Sequence, residues 1–591
     1  MKTSHAKCRT DRGGYALLLV MVFLGLILLI LAGVLNWTAE SSRLTDRNNE
    51  YYTSSAAAEA ATEKVLVRIS RDYLRGGEAA TFKNLASYRT NVPTAGDNAY
   101  WGNYAFRNPQ DGSASTYVSR ISPSAYAILD GQYKGLSGNR AIYRISSDAT
   151  YTPSRYGNIV AGIRQDVAVE SIPLFQFAIF YTLDLEINPS PAMVITGRVH
   201  SNGDIFTLPT TSLVFSNDVT ASGTNYATFK PGDPLGNRGI TNSPNLTFKG
   251  QDDSGTSTLN LPIGTNNTPD NVFEVLKIPP SGEDPASAMG TNRFYNKADV
   301  IITVTDNKVT VTSGVQADNQ ATAVPQTQWK NFMDTNVTFV NKRENITVQA
   351  TQIDVGKFRT WAQSSTNPLT AKLVGKSTPN IVYVDDMRSP VRKNGSSTTP
   401  VEPGIKLVNG AQLPNGGLTI TTPDPIYVQG NYNTTADGVH TSAGVNDTAN
   451  TLPAAIIGDA ITILSTGWSD ANSGNKLTTG TRNASDTTVN AAFLGGIVPT
   501  GGGSYSGGVE NFPRFLEDWS SSKFWYNGSM VVMFDSRTAK APWGGGDVYS
   551  PPKRNWAFDK NFYDNTKLPP GTPQILFLER MNWSMQTAGI P

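Results

Sequence analysis

A single cysteine, Cys8, in 591 residues leaves no pair to oxidise, so no intrachain disulfide supports this fold. Of the three histidines only His200 and His440 lie beyond the amino-terminal region, and neither sits in an HExxH spacing or beside a cysteine. That argues against zinc. The 49 basic and 48 acidic side chains leave a net charge of +1, too little for a single-sign field that would draw in nucleic acid. No G-x-S-x-G elbow is present. Val374-Gly375-Lys376-Ser377 resembles the end of a phosphate loop, but Thr370 stands where that loop needs its first glycine. These absences point away from an enzyme, a cofactor and a metal site.

Long apolar runs are equally scarce, with one exception. From Tyr15 through Leu35, 21 residues (35 − 14) include no Asp, Glu, Lys, Arg or His. A helix of that length, rising about 1.5 Å per residue, spans about 31 Å, the hydrocarbon thickness of a bilayer. Lys2, Lys7, Arg9 and Arg12 precede it with only Asp11 opposing, whereas Glu40, Arg43, Asp46, Arg47 and Glu50 nearly balance behind it. The positive-inside bias therefore keeps residues 1–14 in the cytoplasm and places everything after Trp37 outside. A secretory signal would have an apolar region of only about 7–15 residues.

The helical pattern outlasts the membrane. No Gly or Pro occurs from Val34 through Arg75, and Leu44, Tyr51, Ala58 and Val65 recur at sevens, joined by Leu66, Ile69 and Tyr73. The alanine-rich tract Ala56-Ala57-Ala58-Glu59-Ala60-Ala61 favours helix, and Gly76-Gly77 offers a stop. The pattern predicts one helix over 15–75, with 15–35 in lipid.

A basic leader ending in glycine, a charge-free half-helix and an amphipathic half carrying Ala57-Ala58-Glu59-Ala60-Ala61 together resemble the amino-terminal segment of type IV pilin-like proteins, most closely the PilX-type minor pilins. The resemblance covers roughly the first 75 residues. It implies a prepilin peptidase that cuts after Gly14, before Tyr15, or alternatively after Gly13, with methylation of the new terminus. Major pilins carry a glutamate at the fifth mature position; here Leu19, or Leu18 for the other cut, stands there. A buried carboxylate is costly unless paired, so a subunit without one fits where no partner amine needs it. The departure resembles tip-located, assembly-initiating subunits. Leu17, Val20, Leu24, Ile27, Leu28 and Leu31 are the stripe that would pack against other pilin-like helices.

The remainder is rich in Gly, Thr, Ser and Asn with many short β-branched runs, which predicts a mainly β ectodomain. Residues 76–180, with Ile142-Tyr143-Arg144-Ile145 and Ile159–Val169 as a hairpin around Pro153–Asn158, read as a small α/β unit on the helix. From 181 to 500, short strands such as Met193-Val194-Ile195, Ile381–Val384, Leu418-Thr419-Ile420 and Ile461–Leu464 are not followed by helices. That suggests a β-solenoid, with a β-sandwich as the alternative. Residues of about 231–378, with a hairpin at Asp306-Asn307, read as an inserted subdomain. The stretch 501–591 holds five of the ten tryptophans and reads as a cap. No strict repeat is apparent.

Two readings follow. The first is a structural pilin-like subunit in the inner membrane, incorporated into a filament, with other pilin-like subunits, prepilin peptidase and membrane lipid as partners. The second is a membrane-anchored surface protein that binds or cleaves polysaccharide through its aromatic carboxy-terminal region or Asp385-Asp386, with surface glycan as partner. Asp470-Ala471-Asn472-Ser473-Gly474-Asn475 has the alternating oxygens of a calcium loop, but Thr481 stands where an EF-hand needs its last carboxylate. A solvated turn is the expectation there, and also for Asp385-Asp386; His200 reads as a turn residue beside Asn202-Gly203.

Overall fold

A computed structural model describes residues 13–586 apart from 158, 238–244, 315–319, 391–399 and 545. The leader 1–12 lies outside the described residues. One helix runs Gly13–Lys83. It is longer than the expected 15–75 because the glycine pair breaks the geometry without ending the helix: Gly77 has φ 67°, and helical turns resume behind it. Three contacts hold that resumed turn. Glu78 accepts hydrogen bonds from Arg120 (2.7 Å) and from the Tyr143 hydroxyl (2.8 Å), and the Arg120 guanidinium lies 3.7 Å over the Phe82 ring.

The outer half of the helix buries Ala57, Ala58, Ala61, Val65, Leu66, Ile69 and Tyr73 against an antiparallel sheet. The predicted hairpin is its centre, strands Ser137–Tyr151 and Val160–Pro173, with Tyr143 opposite Val167 and Ala141 opposite Val169. Val167, Val169, Ala141, Tyr143 and Ile145 meet the helix stripe in one cluster. The fourth strand in line is Gln574–Gln586, from the far end of the chain, which places Leu578 opposite Val169.

Apart from the hairpins Val300–Val304/Val309–Ser313 and Met333–Asn341/Ile346–Asp354, the strands beyond this unit pair in parallel, which a sandwich of antiparallel sheets would not do. Three-sided coils start at Phe177–Tyr181, Leu185–Ile187 and Met193–Ile195. The next coil repeats them 20 positions on: Ile205 pairs with Leu185 (205 − 185), Leu213 pairs with Met193, and Val219 pairs with Val199 one coil later. Side-chain carboxylates step with the coils, since Asp184 Oδ1 accepts from Asp204 N (3.0 Å) and Asp204 Oδ1 from Thr224 N (2.8 Å).

After Asp252–Ser254 the chain crosses to the opposite end of the stack and builds back. Strands Val300–Val304, Ile381–Asp386, Leu418–Thr421, Ala454–Ile457, Ala492–Ile497 and Met530–Asp535 follow in spatial order within one sheet of eleven strands. The last three steps match Ile420 to Ile456, Ile456 to Phe493 and Phe493 to Met530, spacings of 36 or 37 residues. The final strand of this series then pairs in parallel with the very first, Val531 opposite Phe180 and Val532 opposite Tyr181. The stack is therefore entered in its middle and closed by its own last coil.

Two expected boundaries change. Residues 231–378 are not a separate insertion: Leu246–Phe248 and Asp252–Ser254 extend the short coils, and Val300–Val304 pairs in parallel with Ile381–Asp386. The hairpin at Asp306-Asn307 is present and closes that end, with Val304 opposite Val309. Nor are residues 501–591 a detached cap. Lys523–Gly528 and Lys553–Phe558 form one side of the long coils, and Gln574–Gln586 returns to the helix-bearing sheet.

Candidate functional site

Gly13 and Gly14 lie in the first turn of the long helix, and Tyr15 is exposed. Leu17, Val20, Leu24, Ile27, Leu28 and Leu31 are each at least half exposed, so this stripe has no partner among the described residues. It is the one helix among the described residues that is long and apolar enough to cross a membrane. With no charge in 15–35 and no Gly or Pro from Val34 through Arg75, the apolar half is a direct extension of the half that forms the core of the α/β unit.

The residues singled out for chemistry are placed apart and are already engaged. His200 is in the strand Arg198–Ser201 rather than in a turn, because the 20-residue coil puts its corner at Asn202-Gly203. Its Nδ1 is 2.8 Å from Thr220 Oγ1, its Nε2 is 3.0 Å from Asn202 Oδ1, and Phe180 stacks on the ring. Burial holds its pKa down at about 4. His440 is exposed, beside Asp437.

Asp386 is not solvated, since the hairpin Met333–Asn341/Ile346–Asp354 covers its side chain, while Asp385 is half-buried beside Tyr383. Asp386 is buried, accepts from Thr351 Oγ1 (2.7 Å) and pairs with Arg388, whose other donors reach the Thr335 and Gln349 carbonyls. Asp470 is occupied by Lys406 Nζ (2.7 and 2.8 Å) and by the Trp468 indole N–H (2.7 Å), so the calcium-like loop already holds an internal cation. Lys376 of the phosphate-loop look-alike pairs with Asp299 (2.6 Å).

The carboxy-terminal aromatics are largely interior. Trp519 is fully buried among Phe515 and Phe524, at ring separations of 5.3 and 6.1 Å, whereas Trp583 is 45% exposed. Trp519→Ala is expected to cost about 3–5 kcal/mol in urea unfolding. Trp583→Ala should stay within about 0.5 kcal/mol. Equal effects would contradict the assignment of Trp519 to the core.

Sequence reasoning missed a set of interior carboxyls. Glu170, Glu510 and Glu517 are each 5% exposed or less, and burial pushes all three up to about 7. Arg140 Nε lies 2.7 Å from Glu170 in ion-pair contact and only partly offsets that burial. Their sequence signal is a glutamate inside an apolar run, as in Val167-Ala168-Val169-Glu170-Ser171-Ile172.

The consequence for stability has a definite sign. Between about pH 4.5 and 7 the folded chain keeps protons on these glutamates that the unfolded chain has released, so stability falls as pH rises through this window. His200 works oppositely: the unfolded imidazole takes a proton below about 6.5 that the folded one refuses until about pH 4. Three glutamates outweigh one histidine at about 1.4 kcal/mol per tenfold change in proton affinity. Thermal unfolding of the full chain in detergent is expected at higher temperature near pH 6 than near pH 8. A midpoint that falls on acidification over that range would contradict this.

No protein-family model matches this sequence, and no curated protein sequence matches it. Among solved structures, the competence-associated pilin ComZ of Thermus thermophilus aligns over 90% of this chain and 98% of its own, at 11% identity and a TM-score of 0.24. A score that low leaves the assignment to the geometry above.

Proposed function

We propose that this protein is a structural, pilin-like subunit of a type IV pilus or related filament, of the PilX-type minor class, inserted in the inner membrane with its leader in the cytoplasm. The observation that carries the reading is the single helix Gly13–Lys83. Its first half is apolar and unpartnered, and its second half is the core of an α/β unit. Such a helix has two stable settings, lipid and a bundle of similar helices; Leu17, Val20, Leu24, Ile27, Leu28 and Leu31 serve in both.

Prepilin peptidase cuts after Gly14 in this reading, and Leu19 leaves the helix without the carboxylate that a shaft subunit contributes. The stacked coils behind the α/β unit add bulk that a repeating shaft subunit would have to accommodate at every step, which suits a tip or assembly-initiating position. The reading is tested by shearing surface filaments from cells with and without prepilin peptidase. The subunit is expected in the sheared fraction only when the peptidase is present, and equal recovery from both cells would overturn it. For the polysaccharide reading, Trp519 is interior and Asp386 is paired with Arg388, while Trp525, Trp543 and Trp556 are half-buried and Trp583 is exposed.

A further inference from the structure

The parallel pairing of Phe177–Tyr181 with Met530–Asp535 joins the first coil to the last, and two glutamates meet across that seam. Glu186, 3% exposed, comes from the first coil's strand Leu185–Ile187. Glu510, 5% exposed, comes from the short helical turn Val509–Asn511 of a late coil. Glycine at 508, with φ +74°, makes room for Glu510, because a β-carbon there would overlap its Oε2.

Little in the protein compensates these carboxylates. Glu186 Oε1 accepts from Ser506 Oγ (3.2 Å) with Thr500 close by, and the backbone N–H groups of Asn188 and Glu510 approach the Glu510 carboxylate, while Glu186 Oε2 and both Glu510 oxygens lack a well-aligned donor. Glu186 also borders a cavity of about 310 Å³, with Asp184, Lys230 and Thr500. The charged groups facing the pair are Lys230, Asp233 and Arg554, with Tyr181 and Tyr549 as neutral hydroxyls; Lys230 is itself paired with Asp184 at 3.0 Å. With both ionised, Glu186 and Glu510 place a pair of like charges in the seam. Two protons remove it.

We propose that this seam is a proton-operated latch: Glu186 and Glu510 hold the first and last coils together when protonated and loosen them when ionised. Burial raises both groups, Glu510 to about 7, so the latch works near neutral pH. An ionised pair in this setting repels and is poorly exposed, and separation of the coils relieves both costs. Because the strand Gln574–Gln586 follows the last coils, loosening the seam also slackens the tether between the stack and the helix-bearing sheet.

Amide hydrogen exchange on the full chain in detergent, expressed as protection factors, tests this at about pH 5.5 and about pH 8.5. Segments 177–187 and 506–512 are expected to lose about tenfold or more in protection at the higher pH. E510Q, E186Q and the double variant should retain it, and E517Q, at a buried glutamate elsewhere, should behave like the unsubstituted chain. Protection independent of pH, or glutamine variants that lose it just as the parent does, overturns the latch. Protection at high pH that needs calcium and vanishes with chelator also overturns it, by assigning the missing charge to a cation.

Discussion

A chain that stops at Pro573 is expected to lose the α/β unit altogether. The missing strand supplies Ile575 to the main core and Leu576 and Leu578 to the helix-bearing cluster, and Arg580 pairs with Glu63 on the helix. Losing three such side chains costs about 2–5 kcal/mol each, with the half-buried leucines at the low end, against a total of about 5–15 kcal/mol for a domain. The strand Val160–Pro173 would also be left with an unpaired edge along 12 registered positions, from Gly162 to Pro173. Limited proteolysis should then cut within 137–173 in the truncated chain and not in the full one. Resistance of that region after truncation would show that the helix and the remaining strands suffice.

The second large effect concerns the leader. Gly14→Val is expected to leave the chain uncut and to remove it from the sheared surface fraction, while it still accumulates in the membrane. The predicted cut lies in the first turn of the long helix, beside the exposed Tyr15, and a β-branched residue in place of glycine changes both the shape and the backbone freedom offered to a peptidase. Gly13→Val separates the two candidate cuts: it blocks processing only if the cut follows Gly13.

How much of this was legible in the sequence depended on how local the cause was. The helix announced itself through the absence of Gly and Pro from Val34 to Arg75 and through the recurrence of Ala58 and Val65, both fully buried in the structure. The central hairpin was equally readable, because Tyr143 and Val167 belong to strands adjacent in sequence.

The stack was not, because its pairings are long-range. Val194, Ile195 and Val199 recur as Val214, Phe215 and Val219, and Gly203 as Gly223, yet the third coil delays its strand from Tyr226 to Leu246, which hides the period. The returning strand Gln574–Gln586 was hidden differently. Both of its faces are used, Phe577 on Tyr133 at 4.2 Å and Leu576 and Leu578 on the helix side, so it reads as an unpatterned apolar run. The interior glutamates escaped notice because a carboxylate in sequence looks solvated until the coil around it is known.

The central claim, that the long helix is a processed filament subunit rather than a fixed anchor, is tested most directly by mass spectrometry of the amino-terminal peptide from cells with active prepilin peptidase. The account predicts a chain that begins at Tyr15 with a methylated terminal amine, or at Gly14 for the alternative cut. A chain in the same cells that still begins with the leader, Met1-Lys2-Thr3, would contradict it.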